Sequence, residues 1–131
     1  MEYLAVLAAA LAGFAVGGVW YMVLSKPWVK AVGHPVKADG TPDGEGSPVP
    51  FIVLAVALIL VAGMMRHVFA MSGINTVGLG LMSGVGIGAF FIAPWIAMNN
   101  AFGKRPVMLT VIDGGYAILG ATVMAVVLTL F

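Results

Sequence analysis

Four long apolar stretches constrain this chain more than any other feature of its sequence. They cover residues 3–24, 51–70, 76–98 and 107–130. A helix needs about 20 predominantly apolar residues to cross about 30 Å of hydrocarbon, and the alternating pattern of a membrane β-barrel strand does not occur in these stretches. The sequence therefore predicts an all-α, polytopic membrane protein, with four transmembrane helices in two hairpins that form a single domain over residues 1–131.

The composition excludes several classes of protein. Hydrophobic residues make up 62% of the chain and charged residues 8%, whereas soluble domains contain about 25% charged residues. The net charge of +1 creates no field that would attract nucleic acid. The chain has no cysteine, and the lone His67 has no second ligand at helical spacing. We therefore expect no bound metal or cofactor and no nucleic-acid partner.

Small residues recur at four-residue spacing in the predicted helices. The first helix carries Ala5, Ala9, Gly13 and Gly17, the third Gly80, Gly84 and Gly88, and the fourth Ala117, Ala121 and Ala125. Lipid tails are as apolar as leucine, so membrane helices associate through close packing at small residues. These rows predict helix crossings, either within one chain or between copies of it.

An acidic residue, Asp113, interrupts the apolar run of the fourth predicted helix. A rise of about 1.5 Å per residue places it roughly 10 Å below the end of that helix. Indole N–H and phenol hydroxyl groups donate hydrogen bonds to carboxylates. The polar cluster that we predict around Asp113 consists of Trp20, Tyr21, Trp95, Asn99 and Tyr116.

Three interpretations of Asp113 are open at this point. The residue fixes helix packing as a bonded or protonated group, or it binds a proton or cation, as acids inside membranes commonly do. In the third interpretation it pairs with Lys104 or Arg105, which can reach back from the preceding turn. Arg66 lies toward the other membrane surface, where we predict that it pairs with Glu2.

The distribution of basic residues predicts the orientation. The polar loop 25–49 and the turn 99–106 hold five of the six basic residues, Lys26, Lys30, Lys37, Lys104 and Arg105. The termini and the second loop offer Arg66. Because lysine and arginine are enriched in cytoplasmic loops, we predict that both of these loops are cytoplasmic and that both termini lie outside.

Several of these residues also carry a resemblance to a known family. The family's patterns are matched by Gly17, Gly18, Val19, Trp20 and Tyr21 with Lys26 and Trp28, by the run Phe91, Ile92, Ala93, Pro94 and Trp95, and by Asn99, Asn100, Phe102, Gly103, Arg105, Pro106, Ile112, Asp113, Gly115 and Tyr116. The chain resembles the small bacterial integral membrane proteins catalogued as domain of unknown function 1761. It departs from them in the Asp/Gly/Pro-rich loop and at Leu24-Ser25, where Leu-Phe is usual. The resemblance implies a four-helix protein of the bacterial cytoplasmic (inner) membrane and no known activity.

The sequence leaves two functions open. The first is a structural or accessory protein that acts by helix packing, as a homo-oligomer or as a subunit of a larger membrane complex. The alternative is a small oligomeric transporter, proton-coupled or ion-conducting, with Asp113 as its titrating group. The first is preferred because a transport path usually has several buried polar groups on facing helices. An enzyme is not predicted, because the sequence lacks a nucleophilic triad and a Gly-x-Ser-x-Gly elbow.

Overall fold

The described part of the chain is helical. A computed structural model of the protein describes residues 2–33 and 47–131, and these contain no strand. The elements are α1 (Glu2–Val23), α2 (Ser25–Val32), α3 (Val49–Ser72), α4 (Val77–Gly86), a π-helical segment (Ile87–Ile92), α5 (Ala93–Phe102) and α6 (Val107–Thr129). The three elements from α4 to α5 form one continuous span, Val77–Phe102. Within the described residues, four helices are long and apolar enough to cross a membrane, which confirms the predicted fold class.

The last helix, α6, lies at the centre of the bundle. It packs against every other helix, whereas α3 packs against α1 and α6. The two predicted hairpins are therefore α1 with α3, and the third span with α6, and they are joined mainly through the contact between α1 and α6. We call the end of the bundle where α1 ends and α6 begins the loop end, and the opposite end the terminal end.

The packed core lies toward the terminal end. Its buried residues come from α1, α3 and α6: Ala5, Ala9, Ala10, Leu58, Ala62, Met65, Phe69, Met124, Ala125 and Leu128. On α1 these residues are alanines, so the other two helices approach its backbone closely. The larger side chains of α3 and α6 fill the space between them. The terminal half of the bundle is thus closed by ordinary helix packing.

The glycine row of the third span packs on α6 within the same chain. A β-carbon on Gly84 would lie 2.6 Å from Thr122 Cα, and one on Gly88 would collide with the backbone of Ile118. At Gly80 the nearest group is also on α6. A backbone cannot yield as a flexible side chain does, so positions 84 and 88 require glycine. This row therefore forms an intramolecular crossing, one of the two possibilities that the sequence left open.

The π segment keeps one face of the third span against α6. Six residues at four-residue spacing are buried or partly buried along this face, namely Gly80, Gly84, Gly88, Ile92, Ile96 and Asn100. In an α-helix with about 3.6 residues per turn, each four-residue step drifts by about 40° around the axis. A π turn contains more residues than an α turn, so it rotates the chain less per residue and compensates for this drift. Pro94 contributes, because it lacks the N–H that would bond the Phe90 carbonyl and so favours an irregular turn there.

Part of the predicted polar loop is helical, which corrects the sequence analysis. We expected residues 25–49 to be an exposed connection, but α2 occupies the start of this range. Val29 is fully buried against the bundle, while Lys26 and Lys30 are exposed. Apolar and basic residues alternate here at helical spacing, so a short amphipathic helix forms beside α6. Residues 34–46 of the predicted loop lie outside the described residues.

The predicted turn 99–106 is also shorter than expected. The third span continues to Phe102, so its two asparagines are helical. The chain then reverses direction around Lys104, whose φ of 55° is in the left-handed region. The amide of Arg105 closes the turn by donating to the Asn100 carbonyl at 2.9 Å.

Replacing Gly84 by alanine should lower the melting temperature of the protein in detergent. The new methyl group would meet the α6 backbone, and overpacking of this kind costs about 1–3 kcal/mol of unfolding free energy. Gly86→Ala is the matched control, because a β-carbon at Gly86 meets nothing within 4 Å. Thermal unfolding followed by circular dichroism compares the two variants, and equal melting temperatures would contradict the packing described.

Candidate functional site

A hydrogen bond between α1 and α6 lies at the centre of the predicted polar cluster. The Tyr21 hydroxyl donates to Asp113 Oδ1 at 2.6 Å. Asp113 is partly buried, and it lies about 9 Å along the axis from the first residue of α6. Hydrogen bonds to a charged acceptor are shorter and stronger than those between neutral groups. Tyr21 thus supplies a donor that an acid at membrane depth requires.

Trp20 bonds the backbone beside the carboxylate rather than the carboxylate itself. Its Nε1 donates to the carbonyl oxygen of Ile112 at 2.9 Å. The indole ring also covers Gly115, where a β-carbon would lie 2.6 Å from Trp20 Cζ2. Gly115 therefore makes room for the indole, and the indole holds the end of α1 against the turn of α6 that carries Asp113.

Tyr116 makes a third hydrogen bond between α1 and α6. Its hydroxyl donates to the carbonyl oxygen of Gly13 at 2.8 Å. On the way it crosses Gly17, where a β-carbon would lie 2.7 Å from that hydroxyl oxygen. A β-carbon on Gly13 would lie 3.0 Å from the Met124 side chain. The small residues of α1 therefore accommodate side chains of α6, and they too serve packing within the chain.

Three aromatic rings stand edge to face beside Asp113. The ring centroids of Tyr21 and Tyr116 are 5.5 Å apart with an interplanar angle of 76°. Those of Tyr21 and Trp28 are 6.2 Å apart with an angle of 83°. This arrangement is favourable, because the positive edge of one ring meets the negative face of the next. The rings come from α1, α2 and α6, so they tie three elements together at the loop end.

These residues line an open cleft of about 740 Å³. Its walls come from α1, α2 and α3 on one side and from the π segment, α5 and α6 on the other. Within the described residues, α3 makes no helix contact with the third span, so the cleft opens sideways between them. Most of its lining is apolar, and its polar members include Ser25, Tyr21, Tyr116 and Asp113.

Trp20, Trp95 and Asn99 of the predicted cluster do not line the cleft. Trp95 is 65% exposed on the outer face of the third span, and Asn99 is exposed as well. The neighbouring Asn100 is only 8% exposed, and its Nδ2 donates to Thr110 Oγ1 at 3.1 Å. The reason is helical phase, because α5 continues through this region and turns Asn100, four residues after Ile96, toward α6.

Ser25 and Trp28 are site residues that were not predicted from the sequence. Both line the cleft, but they fell in the segment predicted as a connection. A usable signal was present, because Trp28 follows Tyr21 by seven residues and therefore shares its face wherever a helix continues. The break at Leu24, with φ −102° and ψ 18°, separates α1 from α2 without turning Trp28 away from Tyr21.

Arg66, for which we predicted a pair with Glu2, bonds the backbone of α6 at the terminal end. Arg66 Nη1 donates to the carbonyl oxygen of Leu128 at 3.1 Å. The last turn of a helix has carbonyls without intrahelical donors and carries partial negative charge, so an arginine stabilises it. Glu2 is exposed in the first turn of α1. Arg66 thus closes the end of α6.

The arrangement around Asp113 can accept a proton or a cation. The structure gives its carboxylate one hydrogen-bond donor among the described residues, Tyr21, whereas an ionised carboxylate has about four acceptor positions. Lys104 and Arg105 are exposed in the turn. Within the described residues, no group of three His, Cys, Asp or Glu side chains could hold a metal ion.

Replacing Tyr116 by phenylalanine should destabilise the crossing of α1 and α6. The change removes the donor to the Gly13 carbonyl, and a hydrogen bond between membrane helices contributes about 1 kcal/mol. Tyr3→Phe is the control, because Tyr3 is 87% exposed. Thermal unfolding in detergent measures both variants, and the assigned bond is wrong if Tyr116→Phe melts no earlier than Tyr3→Phe.

Comparison with known proteins places the chain in a family. No curated protein and no solved structure matches it at a significant level. One family model matches residues 4–129, which is nearly the whole chain and includes every residue of the Asp113 site. The protein belongs to the family described as "Protein of unknown function (DUF1761)", and it is a multi-pass membrane protein of that family.

Proposed function

We propose that this protein is a small transporter, proton-coupled or ion-conducting, that acts as several copies and uses Asp113 as its titrating group. One observation supports this proposal most: the Asp113 carboxylate lines an open cleft and is not enclosed in a helix crossing. Acids within membrane spans that face a cavity commonly bind protons or ions. A carboxylate that served only to fix helix packing would not need a cleft of this size beside it.

The cleft also supplies further polar groups. A transport path usually has several of them on facing helices, and the sequence identified only one buried acid. In the structure, Tyr21 and Ser25 reach the cleft from the first hairpin, and Asp113 and Tyr116 reach it from α6. These groups can hold a cation or pass a proton from one oxygen atom to the next, and we propose a transport function and not an enzyme.

A structural or accessory role, as a homo-oligomer or a subunit of a larger complex, is the second candidate. The glycine row that favoured this role packs within the chain, so an interface would need another surface. Phe91, Trp95 and Phe102 lie on one side of the third span and are strongly exposed. Native mass measurement in a mild detergent tests this role, and a monomer that retains no partner would exclude it, together with the several copies of the proposed transporter.

Proton flux into reconstituted vesicles tests the transport function. With a pH-sensitive dye inside, vesicles with the wild-type protein should acidify in response to an imposed gradient. Vesicles with Asp113→Asn should match empty ones, because the amide cannot take up a proton. Glu2→Gln makes the same chemical change at an exposed site and should retain the wild-type flux. Equal flux from the wild type and Asp113→Asn would remove the carboxylate from the mechanism.

We further propose that the loop end faces the cytoplasm of a bacterium and that both termini face outward. Basic side chains support this orientation, because lysine and arginine are enriched in cytoplasmic loops. The loop end exposes Lys26, Lys30, Lys104 and Arg105. Lys37, also part of the predicted basic set, lies outside the described residues. The membrane would then be the bacterial cytoplasmic (inner) membrane.

Single cysteines test the orientation without background, since the chain contains none. Ser72→Cys at the terminal end should react with a membrane-impermeant maleimide in intact cells. Ser47→Cys at the loop end should react only after the membrane is opened. Both serines are exposed, so each serves as the accessibility control for the other. The reverse labelling pattern would invert the proposed topology.

A further inference from the structure

The cleft beside Asp113 has the size and shape of a binding site for an organic molecule. Its volume of about 740 Å³ falls within the range of about 300–1,000 Å³ that is usual for small-molecule pockets. Its walls carry large apolar side chains such as Phe14, Phe51 and Met124. A hydrated inorganic ion would gain little from such walls, whereas an apolar molecule would bury its surface against them.

The polar groups of the cleft favour a positive charge on that molecule. Asp113 is the one acidic side chain among the described residues of its lining, and Tyr21 is the single donor that the described residues give it. No lysine or arginine lines the cleft within the described chain. A bound cation would therefore compensate the carboxylate, whereas a bound anion would be repelled by it.

The aromatic rings beside the carboxylate favour a bulky organic cation in particular. Tyr21, Trp28 and Tyr116 all line the cleft and stand edge to face. The faces of aromatic rings attract cations, and quaternary ammonium groups are commonly bound in this way. Three rings and one carboxylate thus converge on the same space.

The opening of the cleft indicates how such a molecule would enter. Among the described residues, α3 makes no helix contact with the third span, and Leu54 of α3 lines the cleft together with Ile92 and Ile96 of the third span. Lipid acyl chains surround this gap in a bilayer. A molecule with a large apolar surface concentrates in lipid and can reach Asp113 through the gap without crossing water.

We propose that this cleft binds a hydrophobic organic cation that enters from the bilayer between α3 and the π segment. The cationic centre sits between the Asp113 carboxylate and the three aromatic rings, and the apolar groups fill the remaining cleft. The inference deepens the proposed transport function, since it names the substrate class of the same site, and it rests on that function for its role in transport.

Equilibrium binding to the purified protein in a neutral maltoside detergent tests the proposal. Tetraphenylphosphonium is the probe, and tetraphenylborate is the control of equal shape and opposite charge. The wild-type protein should bind the cation saturably and the anion at least about tenfold more weakly, a difference that corresponds to about 1.4 kcal/mol. Equal binding of the two ions, or no saturable binding of the cation, would overturn the proposal.

Two substitutions locate the binding. Asp113→Asn should weaken tetraphenylphosphonium binding by about tenfold or more, while Glu2→Gln should leave it unchanged. Gly18→Leu should weaken it by filling the cleft, because Gly18 lines the cleft and a β-carbon there meets nothing within 4 Å. Gly63→Leu is the matched control, with the same free space but no place in the lining. If Asp113→Asn and Gly18→Leu, both still folded by circular dichroism, bind like the wild type, the site is not this cleft.

The binding experiment tests the substrate class, and the flux experiment tests the transport function, so the two proposals can be rejected independently. Loss of proton flux in Asp113→Asn without any tetraphenylphosphonium binding to the wild type would leave the transport function and reject the substrate class. Binding that depends on Asp113, with equal proton flux from both proteins when tetraphenylphosphonium is also present, would support the binding site and reject the proposed transport function.

Discussion

The distance between the backbones of α1 and α6 sets the geometry of the whole loop half of this protein. Gly17 lets the Tyr116 side chain lie across α1, so that its hydroxyl donates to the Gly13 carbonyl. Gly115 in turn lets Trp20 lie against α6. Tyr21 is the next residue of α1, and at this separation its hydroxyl reaches the carboxylate of Asp113. Small residues on both helices thus allow the close approach that this polar contact requires.

The spans could be predicted from the sequence, because twenty apolar residues in a row have few other stable environments. Their ends could not be predicted as well. The helix α2 is only eight residues long, and lysines interrupt its apolar residues. Hydropathy alone therefore assigns this segment to a loop. At the other end, α5 continues through two asparagines that composition places in a turn. Burial of Val29 and Asn100 against α6 overrides the local signals in both cases.

The site was predictable in part. Depth along the helices correctly brought Tyr21 and Tyr116 near Asp113, since their register follows from the helix rise. The depth of a residue along a helix does not give its angle around the helix axis. For this reason depth could not distinguish Asn99 from Asn100 or show that Trp95 faces outward. The bond from Trp20 to the Ile112 carbonyl was also beyond the sequence, because a backbone oxygen leaves no trace in the residue pattern. The cleft itself depends on the separation of two helices, which no single stretch of sequence encodes.

The contrast between the two halves of the bundle follows from which side chains α3 carries. Toward the terminal end it places Met65 and Phe69 in the core, and Arg66 holds the last turn of α6. Toward the loop end it borders open space. The third span lies on the other side of that space. Because the wide turn of its π segment keeps Ile92 and Ile96 on the same face as the glycine row, one face of a single helix both seats on α6 and borders the open space.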